Sequence, residues 1–324
     1  MTDILKHTIV NVCKSVTFGM KKPDKKFFRN IFENMLENKT TVLSKLWDSK
    51  IIQAENISKN FSRNLWKTSF TNLPSKIERI MIKFIWNISS DAMFCFDSVD
   101  INKNSAEVME GLKIVRDWST WSFWNWFIYH GVSTKWIPLF FDREKIKDDK
   151  KEPVRFNIFK EQVEKIISIY WNWYWILADR LYDDYKKFNL LLENEFNFAI
   201  RLRTNRKIII LDWILKWEKL SVWELIEWRY KVTFNWLKQD LYIFVKHLKW
   251  QDKPIRVISN IDNEKVVEKY LKRWEIERIF KSGKQEFDFE KIWTKQLQKT
   301  DNLVSMVQLC LWVSAYIYNK IEPV

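Results

Sequence analysis

Apolar residues recur at helical spacing through the first quarter of the chain. Phe27, Phe28, Ile31, Phe32, Met35 and Leu36 form one stripe, and Ile77, Ile80, Met81 and Phe84 form another. The pattern predicts a helical unit over residues 1–88. From about residue 89 the period shortens. Ala92–Phe96 is an apolar run closing on Asp97, and Phe127–Val132 and Ile137–Phe141 are two further strand candidates. An amphipathic helix follows, with Phe156, Phe159, Val163, Ile166, Ile167 and Tyr170 on one side. Tyr174–Ala178 is then a fourth apolar run, closing on Asp179. Strands interleaved with a helix predict an α/β layer with a mixed sheet over 89–195. Strand signals continue at Phe198–Leu202, Lys207–Leu211, Arg229–Phe234, Leu241–Val245 and Ile255–Ser259, which predicts a β-rich insertion over 196–260. Residues 261–324 turn helical again, with one helix from about Glu264 to Gln285 and a buried one around Leu303–Tyr318. The latter is interrupted by Ser305, Gln308 and Ser314 and is too short to span a bilayer.

Charge narrows the partners. The 324 residues carry 55 Lys+Arg against 41 Asp+Glu, a net charge of +14. Such a surplus favours a polyanion, either nucleic acid or an anionic membrane surface. Basic residues are dense at Lys21–Lys26 and at Lys76, Arg79 and Lys83, so the N-terminal helical unit suits DNA binding, although a solvated lysine face has the same composition. Cys13, Cys95 and Cys310 are scattered, and with His7, His130 and His247 they offer no zinc-site spacing. Met1–Lys6 lacks an apolar signal core, and a reducing, cytoplasmic setting is expected.

One feature of the composition is anomalous. There are 20 Trp and 4 Gly, whereas average usage of about 7% predicts roughly 23 glycines. Several tryptophans stand where turn chemistry asks for glycine: Trp118, Trp121, Trp124 and Trp126 in a Ser/Thr/Asn-rich segment, and Trp173 and Trp236 each after an asparagine. The expectation is that UGA codons meaning glycine have been read as tryptophan, with Trp274 among the genuine ones. The competing account is a Trp-rich protein that stacks bases.

Four polar residues near the C-terminus carry the chemistry. Tyr270, Arg273, Glu277 and Lys284 stand at offsets of 0, 3, 7 and 14, which at about 100° per residue places them within an arc of roughly 60° on an unbroken helix. An interruption at Ser282–Gly283 would remove Lys284 from that face. By geometry alone the stripe is equally an ordinary surface with an Arg273–Glu277 i,i+4 pair.

The stretch Tyr270-Leu-Lys-Arg273-Trp274-Glu-Ile276-Glu277-Arg-Ile-Phe280-Lys281, continued to Lys284, resembles the Tyr-Arg-Glu-Lys signature of a large family of bacterial insertion-sequence transposases of the DDE type. That resemblance implies a ribonuclease H-like catalytic domain and two further acidic residues at the ends of core strands. Asp179, in Trp175-Ile-Leu-Ala-Asp179-Arg180, is similar to the family's second; Asp97, in Phe94-Cys-Phe-Asp97, is similar to the first, with Asp100 close enough to compete. Leu181 departs from the small residue more usual after the Asp-Arg pair.

The resemblance implies cut-and-paste transposition: metal-dependent cleavage at element ends, then attack by the released 3′-OH. Asp97, Asp179 and Glu277 would hold two Mg²⁺ ions, with Mn²⁺ as a substitute, because hard cations take carboxylate oxygens and can stabilise both oxygens of an in-line displacement. Tyr270, Arg273 and Lys284 would bind DNA phosphates. The implied partners are terminal inverted repeats and target DNA, bound by a homodimer in the cytoplasm at the nucleoid, with no membrane. A ribonuclease H-like nuclease without strand transfer, and an inactive or repurposed DNA-end-binding derivative, are the other readings.

Overall fold

The computed structural model describes residues 2–41, 62–65, 67–84, 93–102, 109–110, 113–116, 123–144, 154–169, 174–211, 219–234, 237, 239–249, 251–291 and 296–321. Ala92, Tyr170, Trp118, Trp121, Trp173 and Trp236 lie outside them, as do the side chains of Trp124 and Trp126.

The chain begins with α1 (Thr2–Val16) and α2 (Lys22–Asn38), then reaches α3 (Leu73–Phe84). Phe28, Ile31, Phe32 and Met35 of α2 and Ile77 and Met81 of α3 are fully buried, so the apolar stripes face inward as their spacing predicts. Their partner is the last helix, α8 (Leu297–Ile321), whose buried face runs from Leu303 to Val313. The N-terminal helices therefore share one continuous core with the rest of the chain.

Eleven strands among the described residues form a single sheet. β1 (Met93–Asn102) is central. On one side it pairs antiparallel with β3 (Phe123–Thr134), which carries β2 (Lys113–Arg116) along one stretch of its outer edge and β4 (Ile137–Arg143) along the other. On the other side β1 pairs parallel with β5 (Trp175–Ala178), and β5 pairs parallel with β6 (Asn197–Arg201). α4 (Val154–Ile169) leads into β5, and α5 (Tyr185–Glu193) connects β5 to β6.

Beyond β6 the order continues β11 (Ile255–Ser259), β10 (Leu241–Lys246), β9 (Arg229–Thr233), β7 (Lys207–Ile210) and β8 (Lys219–Ser221), all antiparallel. The β-rich stretch is thus an extension of the central sheet. Its expected first strand, Phe198–Leu202, corresponds to β6, which joins the two parts by pairing with β5 on one side and β11 on the other.

β1 also runs past the point where its apolar run stops. Alternation sends Phe96 toward α4, where it meets Phe159 edge-on at 5.2 Å, and sends Asp97 to the opposite face. That face is covered by α7 (Trp274–Glu286) and α8. The approach of α7 depends on Gly131, the β3 partner of Asp97: a Cβ there would run into the Phe280 ring.

The β3–β4 connection is a two-residue loop, Lys135-Trp136, with φ of 45° and 65°. Positive φ at both loop positions is the geometry of a type I′ hairpin, whose second residue is characteristically glycine. Trp136 therefore occupies a glycine-like position.

Candidate active site

Parallel register sets the first two carboxylates side by side. Phe96 is level with Ala178, so the next residues, Asp97 and Asp179, are neighbours at adjacent strands. Asp179 immediately follows β5 and opens a 3₁₀ turn over Arg180–Tyr182. One of its oxygens, Oδ1, is buried and has no hydrogen-bond partner among the described residues. Asp97 accepts from its neighbour's backbone, Ser98 N to Oδ1 at 2.8 Å. Asp100, three residues on, has the opposite parity and so lies on the other face of β1.

The third carboxylate comes from the helical segment, which is not the single helix its spacing suggests. α6 (Val266–Leu271) ends at Lys272, and α7 starts after Arg273. Across the junction the backbone tightens to i→i+3 bonds, including Arg273 N to Tyr270 O at 2.9 Å and Ile276 N to Arg273 O at 3.1 Å. Three residues per turn bring Tyr270 and Arg273 into line, and Arg273 Nε donates to the Tyr270 hydroxyl at 3.1 Å. α7 then continues through Ser282 and Gly283 without interruption. Lys284, seven residues after Glu277, stays on the same side of α7.

The consequence corrects the exposed stripe. Tyr270 is 1% exposed and Arg273 2%, while the Glu277 side chain is half exposed. Within the chain Arg273 faces two carboxylates. Its Nη1 donates to Asp97 Oδ2 at 2.7 Å and its Nη2 to Glu277 Oε1 at 2.5 Å. The planar guanidinium presents separate N–H groups to the two carboxylates, so a single side chain can hold both in a fixed relative geometry.

Burial pushes the Asp97 carboxyl up to about 6, against the pull of Arg273 and the Ser98 N–H, and the charges of Asp179 and Glu277 add to the rise. Burial also works against the Arg273 cation, but Tyr270, Asp97, Asp179 and Glu277 outweigh it, so the guanidinium is held more firmly charged than usual. The Tyr270 hydroxyl is pushed up to about 12, mainly by burial, and stays a neutral hydrogen-bonding group.

A cavity of about 640 Å³ opens beside the two aspartates. Asp97 and Asp179 line it together with Ser98, Arg180 and Leu181, and so do Arg203, Thr204 and Asn205. The last three sit on the β6–β7 turn, a polar segment that sequence reasoning passes over as a connection.

The donor set bears on a metal as follows. Among the described residues no three His, Cys, Asp or Glu side chains stand together as a ligand cluster, and Arg273 holds the position between Asp97 and Glu277. The Asp97–Asp179 pair nonetheless suits a hard divalent cation. Both are carboxylates, one oxygen is buried without a partner, and the pair together with Glu277 gathers more negative charge than Arg273 neutralises.

Fold and site together define a mixed α/β protein with a cleft lined by paired carboxylates and arginines where the parallel pairing of β1 and β5 ends. Residues 155–313 match the family model of a transposase DDE domain. The matched span includes Asp179, Tyr270, Arg273, Glu277 and Lys284 and begins after Asp97. The match supports a DDE transposase family, and with it a transposase function and a DNA substrate. No curated protein matches the chain. No helix among the described residues is long and apolar enough to cross a membrane.

Proposed function

We propose that this chain is a cut-and-paste DNA transposase of the Tyr-Arg-Glu-Lys group, which cleaves insertion-sequence ends and joins them to target DNA by 3′-OH attack. The observation that carries the reading is the side-by-side placement of Asp97 and Asp179, with Glu277 linked to Asp97 through Arg273. The strand order β4-β3-β1-β5-β6, antiparallel as far as β1 and parallel after it, supports a ribonuclease H-like catalytic core.

Asp97, Asp179 and Glu277 would hold Mg²⁺, two ions on this reading, or Mn²⁺ in its place. A divalent ion held there would supply Lewis-acid activation of the attacking water and stabilisation of charge on the attacking and leaving oxygens. The chain's own groups do the positioning. Tyr270 orients Arg273, and Arg273 keeps Asp97 and Glu277 in register across the β1–α7 gap. Lys284, on the Glu277 side of α7, would hold a DNA phosphate. Two element ends must meet in one reaction, which favours a homodimer on DNA.

The test is a supercoiled plasmid carrying the element's terminal repeats, incubated with the wild type and with Glu277→Gln. Metal-dependent excision and joining by the wild type, with DNA binding but no cleavage by the variant, is the expected result. Cutting without joining would reduce the protein to a nuclease. Salt-sensitive binding alone would make it a DNA-end-binding derivative, and retained cleavage by the variant would remove Glu277 from the site.

A further inference from the structure

The β6–β7 turn is fixed more firmly than a connection requires. Asp183, 2% exposed, accepts from Arg203 N at Oδ2 (2.8 Å) and forms an ion pair with Arg206, whose Nη2 also donates to the Asp183 carbonyl at 2.8 Å. Arg203 Nε donates to the Arg180 carbonyl at 3.2 Å, tying the turn to the segment that follows Asp179. From the far side, Trp223 N donates to Thr204 O and Val222 N to Arg206 O. A buried ion pair contributes little net stability against its desolvation. What this one achieves is a fixed position for Arg203, Thr204 and Asn205 in the lining of the cavity that Asp97 and Asp179 also line.

The cavity is therefore two-signed, its lining including the carboxylic residues Asp97 and Asp179 and the cationic residues Arg180 and Arg203. A phosphodiester strand repelled by the carboxylates is attracted by the two arginines. Guanidinium forks match phosphate oxygens, and Thr and Asn side chains supply the neutral hydrogen bonds typical of sugar-phosphate contacts.

We propose that Arg180, Arg203, Thr204 and Asn205 form a backbone-binding subsite, which holds the phosphates of the DNA strand next to the one being cleaved. This rests on the transposase reading for the cleavage step but not for the binding itself. The subsite reads no base; its task is to set the register of the strand against Asp97 and Asp179.

A fluorescein-labelled short duplex with a 3′ single-stranded overhang is the probe, followed by anisotropy across a salt series. Losing one phosphate contact lowers the slope of log K against log salt by about 0.7–0.9 and weakens binding roughly fivefold at 0.15 M salt. Arg203→Ala is expected to show both effects. Arg203→Lys should recover the slope but only part of the affinity. Asn205→Ala, which leaves the Asp183 clamp intact, guards against misfolding: it should weaken binding with an unchanged slope. The inference is overturned if Arg203→Ala and Asn205→Ala bind with wild-type affinity and slope, or if the wild type does not bind. Weakened binding by the Arg203 variant beside a wild type that never cuts overturns the transposase reading while leaving the subsite standing.

Discussion

Arg273 donates to Asp97 at 2.7 Å although 176 residues separate them in the chain. This contact joins the junction ahead of α7 to the middle of β1, and through Glu277 it sets the third carboxylate against the first. Its removal leaves Asp97 buried without its counter-charge. Breaking a buried pair from one side costs about 3–5 kcal/mol. The Glu277 half, with that side chain 50% exposed, adds little. Arg273→Ala should accordingly lower stability by about 3 kcal/mol in urea unfolding at neutral pH without metal. Combining it with Asp97→Asn removes the stranded charge and should recover about 1–3 kcal/mol, the coupling typical of contacting pairs. Strict additivity of the two substitutions would show that the bridge carries no energy.

Gly131 sets how closely α7 approaches the sheet. Its missing Cβ is the space occupied by the Phe280 ring, and Phe280 follows Glu277 by three residues. Gly131→Ala should cost about 1–3 kcal/mol by overpacking and shift α7 outward. A displacement of about 1 Å at Glu277 is enough to slow cleavage up to about 100-fold. Adding Phe280→Leu should restore both stability and rate. If the rate recovers without the stability, the helix position is not what links them.

Much of this arrangement was legible in the sequence, and the rest was not for identifiable reasons. Nine strands and the Phe156-bearing helix follow from apolar runs and periodicity, because burial on a sheet face demands them. Asp97 and Asp179 were legible because each closes such a run. β2 and β8 were missed: they are four and three residues long, too short to show alternation. α5 was missed because its buried side includes Lys187 beside Phe188 and Leu191. The break at Lys272–Arg273 has no compositional signal, since both residues keep helical dihedrals and only the bonding tightens. That break is what turns Tyr270 and Arg273 inward. Strand pairing was equally hidden, so the sequence could not show that β6 bridges β5 and β11 in one sheet. The Arg203–Asn205 turn is polar and exposed, which is also how a linker reads.

Lys187 gives the fold a pH dependence. It is 4% exposed, donates to Leu181 O at 3.2 Å and stands over the Tyr182 ring at 4.5 Å. Burial lowers its pKa from 10.5 to about 8. The folded state therefore releases this proton more readily than the unfolded chain. Stability contributed by the group is fully present above about 10.5, falls as pH drops toward 8, and is flat below. A tenfold difference in proton affinity between the folded and unfolded chain corresponds to about 1.4 kcal/mol, so the whole rise is on the order of 3 kcal/mol. Lys187→Met should abolish the rise between pH 8 and 10.5. It should also stabilise the chain at pH 7 by about 1 kcal/mol, the gain being reduced by the lost hydrogen bond and cation–π contact. An unchanged slope in the variant would assign the pH dependence to other groups.

Trp136 provides the sharpest test of whether misread codons lie behind the tryptophan surplus. Its φ of 65° lies in the left-handed region, which costs a residue with a Cβ about 1–2 kcal/mol. In return the Arg278 guanidinium stands 5.1 Å from the ring centroid, worth about 0.5–1 kcal/mol at a partly exposed site. The backbone bond from Trp136 N to Glu275 Oε2, 3.1 Å, is available to any residue with an N–H. Trp136→Gly should thus stabilise the chain by about 0.5–1 kcal/mol. Trp136→Ala keeps the strained φ and loses the ring contact, so it should destabilise by a similar amount. Opposite signs for these two variants in thermal unfolding would mark the loop as built for glycine. A shared loss would mean that the indole ring is the reason for the residue, and that the tryptophan is native to the turn.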